Sequence, residues 1–155
     1  MNKADLLAEI TKHFPDMPDA ALATSSLAAL SNEEFRHYLP AFMAAALQAP
    51  ASATSADVVL ALKLPIELNA ATVASGLRLH EEGGSPEAGP EALLQSQLTQ
   101  TNAAIHRFIA RTTLFSQTQG ATICHFLAYL RDKQSSSFPN HEPALAIERY
   151  WFQFA

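Results

Sequence analysis

The segment from Leu30 to Leu47 constrains the fold of this chain more than any other. Ser31 and Glu34 have the S-x-x-E spacing of a capping box, in which two side chains satisfy amide groups that a helix start leaves unpaired. Apolar residues then recur at i, i+4, i+7 and i+11, and they are Phe35, Leu39, Phe42 and Ala46. This pattern predicts a long amphipathic helix whose apolar stripe is central to the core.

Pro40 lies in the middle of this predicted helix. A proline inside a helix removes one hydrogen bond and crowds the carbonyl four residues earlier, here that of Arg36. We therefore expect either a kink at Pro40 or two abutting helices.

The composition extends the helical prediction to the whole chain. Alanine is abundant, Val, Ile and Thr are sparse, and the 155 residues include 5 glycines. Because alanine favours helix and β-branched residues favour strand, this balance is typical of an all-α protein. We predict a single compact all-α domain over residues 1–155, with about six to seven helices and with flexible loops near residues 50–56, 81–90 and 134–140.

Apolar spacing places the helices of the first half of the chain. A short helix that ends before Pro15 carries Leu7, Ile10 and Phe14 on one face. Further helices are predicted from Asp19 to Leu30 and from Asn69 to about His80. Residues 57–64 are compatible with either helix or strand, because valines adjoin an alanine-rich segment.

Three more helices are predicted in the second half. Glu91 opens a long helical pattern with apolar residues at Leu94, Leu98, Ile105 and Phe108. Ser116 and Gln119 form a second capping box, and the helix behind it has a predicted buried face made of Ile123, Phe126, Leu127 and Leu130. The last helix begins near Pro143 and carries Ala144, Ile147, Trp151 and Phe154.

Charge and apolar content exclude several classes of protein. Ten Lys and Arg against fifteen Asp and Glu give a formal charge of −5, which argues against a nucleic-acid binder. The longest apolar run, Tyr38–Leu47, is about half of what a membrane crossing needs. Because no apolar stretch of signal-peptide length follows Met1–Asp5, we expect a cytoplasmic protein without membrane association.

The residue types that most often carry chemistry form no catalytic or metal-binding motif. The six histidines include no pair at i, i+4 with an intervening glutamate, so we predict no metal, no cofactor and no catalytic residues. Cys124 and His125 are neighbours, but adjacent helical side chains point about 100° apart and cannot act as a pair. We therefore expect Cys124 to be a buried packing residue.

Acidic residues are concentrated in one loop and the helix start that follows it. Glu81, Glu82, Glu87 and Glu91 have no lysine or arginine among them. Such a cluster raises the local negative potential and steers a basic partner. We predict these four residues as the partner-binding site, although a solvated loop is the alternative explanation.

Three blocks of the sequence resemble a family of small, uncharacterised bacterial proteins. Leu30–Leu47 is similar to the family signature L-S-x-E-x-F-R-Y-Y-L-P-A-[FY], which a small apolar run follows. The second and third similar blocks are Phe115–Leu130 and Ala146–Trp151, and Asp57–Val59 matches the apolar middle segment of the family. The resemblance implies a compact helical domain and supplies no catalytic residues.

Two positions depart from the family pattern. His37 stands where the family has Tyr, and residues 65–113 are longer and more divergent. Proteins of this size and style resemble immunity proteins, which neutralise bacterial toxins.

Three hypotheses of function follow. The first is a non-enzymatic inhibitor, an immunity protein with one protein partner, which is a toxin with a basic surface. The second is a small enzyme whose site is assembled from residues such as Glu34, Arg36 and His37. The third is a helical adaptor or regulatory module that binds through its C-terminal aromatic residues.

Overall fold

The computed structural model describes residues 1–16, 27–65 and 90–155. Within these ranges the chain forms α-helices and 3₁₀ turns and no strand, so the all-α prediction is confirmed. The helices are α1 (Lys3–His13), α2 (Asn32–Gln48), α3 (Ala53–Leu62), α4 (Pro90–Thr112), α5 (Gln117–Lys133) and α6 (Glu142–Arg149). The 3₁₀ turns are Leu27–Ala29, Ser135–Ser137 and Trp151–Phe154.

The chain divides into two compact units. The first consists of Met1–Leu64 and Ala110–Ala155, and the second is Pro65–Ile109. In the first unit α2 packs on α3, while α5 packs on α1, on α6 and on the last 3₁₀ turn. Of the second unit the structure describes Pro65 and the part of α4 up to Ile109, where Phe108 is buried, Ile105 is half-buried and Leu98 is exposed. The single-domain organisation stays a prediction.

The start of α2 has the predicted capping box. Ser31 Oγ accepts a hydrogen bond from the Glu34 amide at 3.2 Å, and the Glu34 carboxylate accepts one from the Ser31 amide at 3.4 Å. The helix runs from Asn32 to Gln48 without a break at Pro40. The alternative of two abutting helices is therefore wrong.

The apolar stripe of α2 differs from the prediction at one position. Phe35 and Leu39 are fully buried as predicted, but Phe42 is half-buried and Met43 is fully buried in its place. Four residues make slightly more than one helical turn, so each step of four shifts the side chain further around the helix. The buried series Phe35, Leu39, Met43 and Leu47 therefore turns away from Phe42. Phe42 therefore packs at the edge of the core.

The predicted loop at residues 50–56 is shorter than expected. Ser52 is the N-cap of α3, and its hydroxyl accepts a hydrogen bond from the Ser55 amide at 3.2 Å. A serine that satisfies a helix amide ends the loop there, so residues 53–56 are helical rather than loop. The segment 57–64, open between helix and strand, is helical up to Leu62.

The two terminal helices also differ from the prediction in detail. In α1 the fully buried leucine is Leu6 rather than Leu7, together with Ile10. The last helix ends at Arg149 and is followed by a 3₁₀ turn, so the periodicity drawn from Pro143 to Phe154 does not continue. The fully buried residues of this region are Ala146 and Trp151.

Several predictions fall wholly or partly outside the described residues. They are the helix from Asn69 to His80, the loop 81–90 apart from Pro90, which begins α4, and the helix from Asp19 to Leu30, of which Leu27–Ala29 is a 3₁₀ turn. By contrast, α5 is confirmed in full. It ends at Lys133 as predicted, and its buried apolar face is Ile123, Phe126, Leu127 and Leu130.

Candidate functional site

A cleft of about 420 Å³ lies in the first unit, where the ends of several helices meet. One wall is a face of α2, and the others come from the chain after α1 and from the junction of α4 and α5. The lining residues are Phe14, Pro15, Asp16, Glu33, Arg36, His37, Pro40, Leu114 and Gln119. The cleft therefore combines an apolar surface with charged groups of both signs.

The α2 wall follows from helical spacing. Glu33, Arg36, His37 and Pro40 lie at i, i+3, i+4 and i+7, which places them on one face. The first three are exposed, and the His37 ring packs edge-on against Tyr38 at a centroid distance of 5.1 Å. The Glu33 carboxylate and the His37 imidazole make no ion pair with each other or with other described residues.

The structure places the residues of the enzyme hypothesis in two different environments. Arg36 and His37 line the cleft. The Glu34 carboxylate instead accepts the Ser31 amide in the capping box. The acidic residue of α2 that lines the cleft is Glu33, not Glu34.

Gln119 forms a fixed part of the cleft wall. Its amide nitrogen donates to the His13 carbonyl at 3.1 Å, and its amide oxygen accepts from the Ser116 amide at 3.0 Å. The side chain thus joins the end of α1 to the start of α5. Because both polar ends of its amide have partners, the Gln119 side chain is held in place in this wall.

A polar network lies next to the cleft, between α1 and α5; its Thr122 is buried, Glu9 and His13 are half-buried, and His125 is exposed. The Thr122 hydroxyl oxygen is 2.7 Å from His13 Nδ1, 3.1 Å from a Glu9 carboxylate oxygen and 3.0 Å from the Thr118 carbonyl oxygen. The same Glu9 oxygen is 2.8 Å from His125 Nδ1.

Proton counting fixes the direction of these hydrogen bonds. The Glu9 carboxylate and the Thr118 carbonyl can only accept, so the single hydroxyl proton of Thr122 goes to one of these two oxygens. His13 therefore donates from Nδ1 to Thr122, and His125 donates from Nδ1 to Glu9. A histidine beside a hydroxyl suggests a nucleophile, but the Thr122 side chain is fully buried, which favours a structural role.

Arg111 is a second buried polar group, and its role is to hold the start of α2. Its guanidinium donates to the Leu30 carbonyl and, at 3.3 Å, to the Asn32 side chain. It also lies 4.6 Å above the centre of the Phe35 ring. No local sequence pattern indicates this contact, because 81 residues separate Arg111 from Leu30.

Cys124 and His125 behave as adjacent helical residues should. The Cys124 thiol is buried, and burial raises its pKa although Arg131 opposes the shift. His125 points to Glu9 instead. The prediction that Cys124 is a buried packing residue is confirmed.

Residues 2–75 match a family of unknown function, DUF6714. The match covers just under half of the chain. It is consistent with an uncharacterised family, includes the block Leu30–Leu47 and ends before the two later blocks. No curated protein and no solved structure matches the chain.

The part that is similar to DUF6714 supplies the α2 wall of the cleft and the α1 side of the polar network. The opposite wall of the cleft and the opposite side of the network come from α5 and the segment before it, which lie outside the match. Both features therefore depend on contacts between the similar part and the rest of the first unit.

The C-terminal 3₁₀ turn holds one aromatic side chain in solvent. Trp151 is fully buried and its indole nitrogen donates to the Leu62 carbonyl at 2.7 Å. The Phe154 ring packs where a side chain on Gly120 would be, only 2.4 Å from the position of such a Cβ. Phe152, between these two anchors, is 60% exposed.

The predicted acidic site lies beyond what the structure describes. Glu81, Glu82 and Glu87 are outside the described residues, and for Glu91 only the backbone, in the first turn of α4, is described. Their role in binding a partner stays a prediction.

Metal sites and membrane spans were also predicted to be absent. Within residues 1–16, 27–65 and 90–155, no group of three or more His, Cys, Asp or Glu side chains has a geometry that could hold a metal ion. In the same ranges no helix is both long and apolar enough to cross a membrane.

Proposed function

We propose that this chain is a non-enzymatic protein-binding inhibitor, an immunity-type protein that neutralises one bacterial toxin. The supporting observation is the anchored C-terminal turn with its exposed Phe152. Aromatic residues dominate the binding energy of protein interfaces when they insert into a pocket of the partner.

The residues on either side of Phe152 hold it in position for contact with a partner. Trp151 is tied to the Leu62 carbonyl and Phe154 is packed on Gly120, so the backbone on both sides of Phe152 is fixed before a partner arrives. A side chain that is already held in place loses less conformational freedom on binding. The turn therefore favours protein binding over a role in packing alone.

The proposal includes the acidic residues of the sequence as steering groups. Glu81, Glu82, Glu87 and Glu91 and the formal charge of −5 favour a partner with a basic surface. Charges at the rim of an interface mainly change the association rate. Replacing all four with glutamine is expected to slow association and to flatten its dependence on salt, while the melting temperature stays nearly unchanged.

The experiment begins with the product of the neighbouring reading frame. Expression of that product alone is expected to stop bacterial growth, and co-expression of this chain is expected to restore it. Binding without restored growth would indicate an adaptor rather than an inhibitor. A neighbouring product that is harmless and does not bind would count against the proposal.

Two matched variants then test the contact. Phe152→Ala is expected to weaken binding by about thirtyfold, the usual effect of losing an interface hot spot. Leu60→Ala is the control, because Leu60 is also an apolar side chain that is 50% exposed. Equal affinities of the two variants for the partner would show that Phe152 is not part of the interface.

A further inference from the structure

We propose that the cleft binds a small zwitterion with an apolar side chain, that is, a free apolar α-amino acid such as leucine. This inference goes beyond the proposed function and does not depend on a protein partner. It rests on the charges at the cleft, on its apolar surface and on its size.

The charges call for a ligand that carries both signs. The Arg36 guanidinium is exposed at the cleft and makes no ion pair or hydrogen bond within the described part of the chain. A guanidinium offers paired donors that fit a carboxylate. Arg36 is therefore placed to bind the carboxylate of the ligand.

Two carboxylates supply the negative charge at the cleft. Asp16 comes from the segment after α1 and Glu33 comes from α2, and both carboxylates are exposed at the cleft. Neither carboxylate has an ion-pair partner among the residues that the structure describes. An ammonium group is attracted by these two carboxylates, whereas a purely anionic ligand would be repelled by them.

The apolar surface calls for an apolar side chain on the ligand. Phe14 and Pro40 line the cleft from the edge of the core, and Leu114 is 37% exposed there. Covering Leu114 removes apolar area from water, which favours binding.

The size of the cleft limits the ligand to a small molecule. Its volume of about 420 Å³ lies near the lower end of the range of small-molecule pockets, about 300–1,000 Å³. The hydrogen bonds of Gln119 fix one wall, so the shape is present before a ligand enters. A single amino acid meets the requirements of size, charge and apolar contact together.

The test is an NMR titration of the isotopically labelled full chain with L-leucine. We expect saturable shifts of the backbone amides of residues 14, 16, 33, 36, 37, 114 and 119. Three probes each remove one feature of the ligand. N-acetyl-L-leucine lacks the ammonium group, L-leucinamide lacks the carboxylate and glycine lacks the apolar side chain.

Each of these probes is expected to bind at least about tenfold more weakly than L-leucine, which is the effect of losing one hydrogen bond to a charged group or one apolar contact. Arg36→Gln is expected to lower the affinity for L-leucine to the affinity that the wild-type protein has for L-leucinamide. Arg131→Gln is the matched control, since Arg131 is exposed and pairs with Asp132 at 2.8 Å, outside the cleft.

Three results would overturn the proposal. They are the absence of saturable shifts at L-leucine concentrations of tens of millimolar, equal binding of all four ligands, and unchanged L-leucine binding by Arg36→Gln. Saturable binding of a short peptide with no binding of L-leucine would also overturn it, because the cleft would then serve a polypeptide.

Discussion

Two neighbouring polar regions of the first unit differ in whether their groups have partners. In the network between α1 and α5, Glu9, His13, Thr122 and His125 are joined by contacts of 2.7–3.1 Å. In the cleft, Arg36 and Glu33 are exposed and make no such contacts within the described residues.

The difference separates stability from recognition. A buried hydroxyl such as that of Thr122 must be hydrogen-bonded, because leaving buried groups without partners costs about 1–3 kcal/mol each. Exposed charges on the surface of a helix have water as a partner and add little to stability. The network therefore holds α1 on α5, whereas the charged groups of the cleft add little to stability within the described part of the chain.

The largest loss of stability is expected for a substitution in the apolar core, and the losses expected in the two polar regions are compared with it. Met43→Ala is expected to lower the free energy of unfolding by about 2–5 kcal/mol, because Met43 is fully buried. Phe42→Ala removes a larger but half-buried side chain and is expected to cost clearly less. Chemical denaturation of both variants measures the difference, and the reverse order would place the core on the other side of α2.

The next effect concerns the network itself. Thr122→Val keeps the shape of the side chain but removes the hydroxyl, which leaves the His13 donor without its acceptor. We expect a loss of about 1–3 kcal/mol in the free energy of unfolding.

Thr11→Val is the matched control for this loss. Thr11 is exposed, and among the described residues its hydroxyl bonds only to the Leu7 carbonyl of its own helix, at 3.0 Å. Its effect is expected to stay within about 0.5 kcal/mol. Equal losses for the two threonines would mean that the network does not hold α1 on α5.

The smallest effect on stability is expected at the cleft. Arg36→Gln changes an exposed side chain and is expected to alter the free energy of unfolding by less than about 0.5 kcal/mol. Denaturation curves of the variant and wild type should nearly coincide. A loss comparable with that of Thr122→Val would assign Arg36 to the structure and remove the contrast between the two regions.

The sequence predicts features that depend on local spacing better than features that depend on distant contacts. Both capping boxes, at Ser31 and Ser116, form as predicted, because all their atoms lie within four consecutive residues. The network could not be predicted in this way, since Thr122 and Glu9 are 113 residues apart.

The candidate site shows the same limit. Arg36 and His37 were singled out from the sequence, but Glu34 was chosen with them although its capping-box role already occupied its carboxylate. The spacing i, i+3, i+4 would have pointed to Glu33 instead. The contribution of Phe14 and Leu114 depends on how α1 and α5 pack, which no local pattern reveals.

The most direct test combines thermal denaturation and L-leucine titration on the same two variants, Thr122→Val and Arg36→Gln, with both titrations run well below the melting temperatures. We predict opposite results. Thr122→Val melts at a lower temperature and binds L-leucine like wild type, while Arg36→Gln melts like wild type and binds at least about tenfold more weakly. A common loss of both properties in either variant would contradict the separation of a structural network from a recognition cleft.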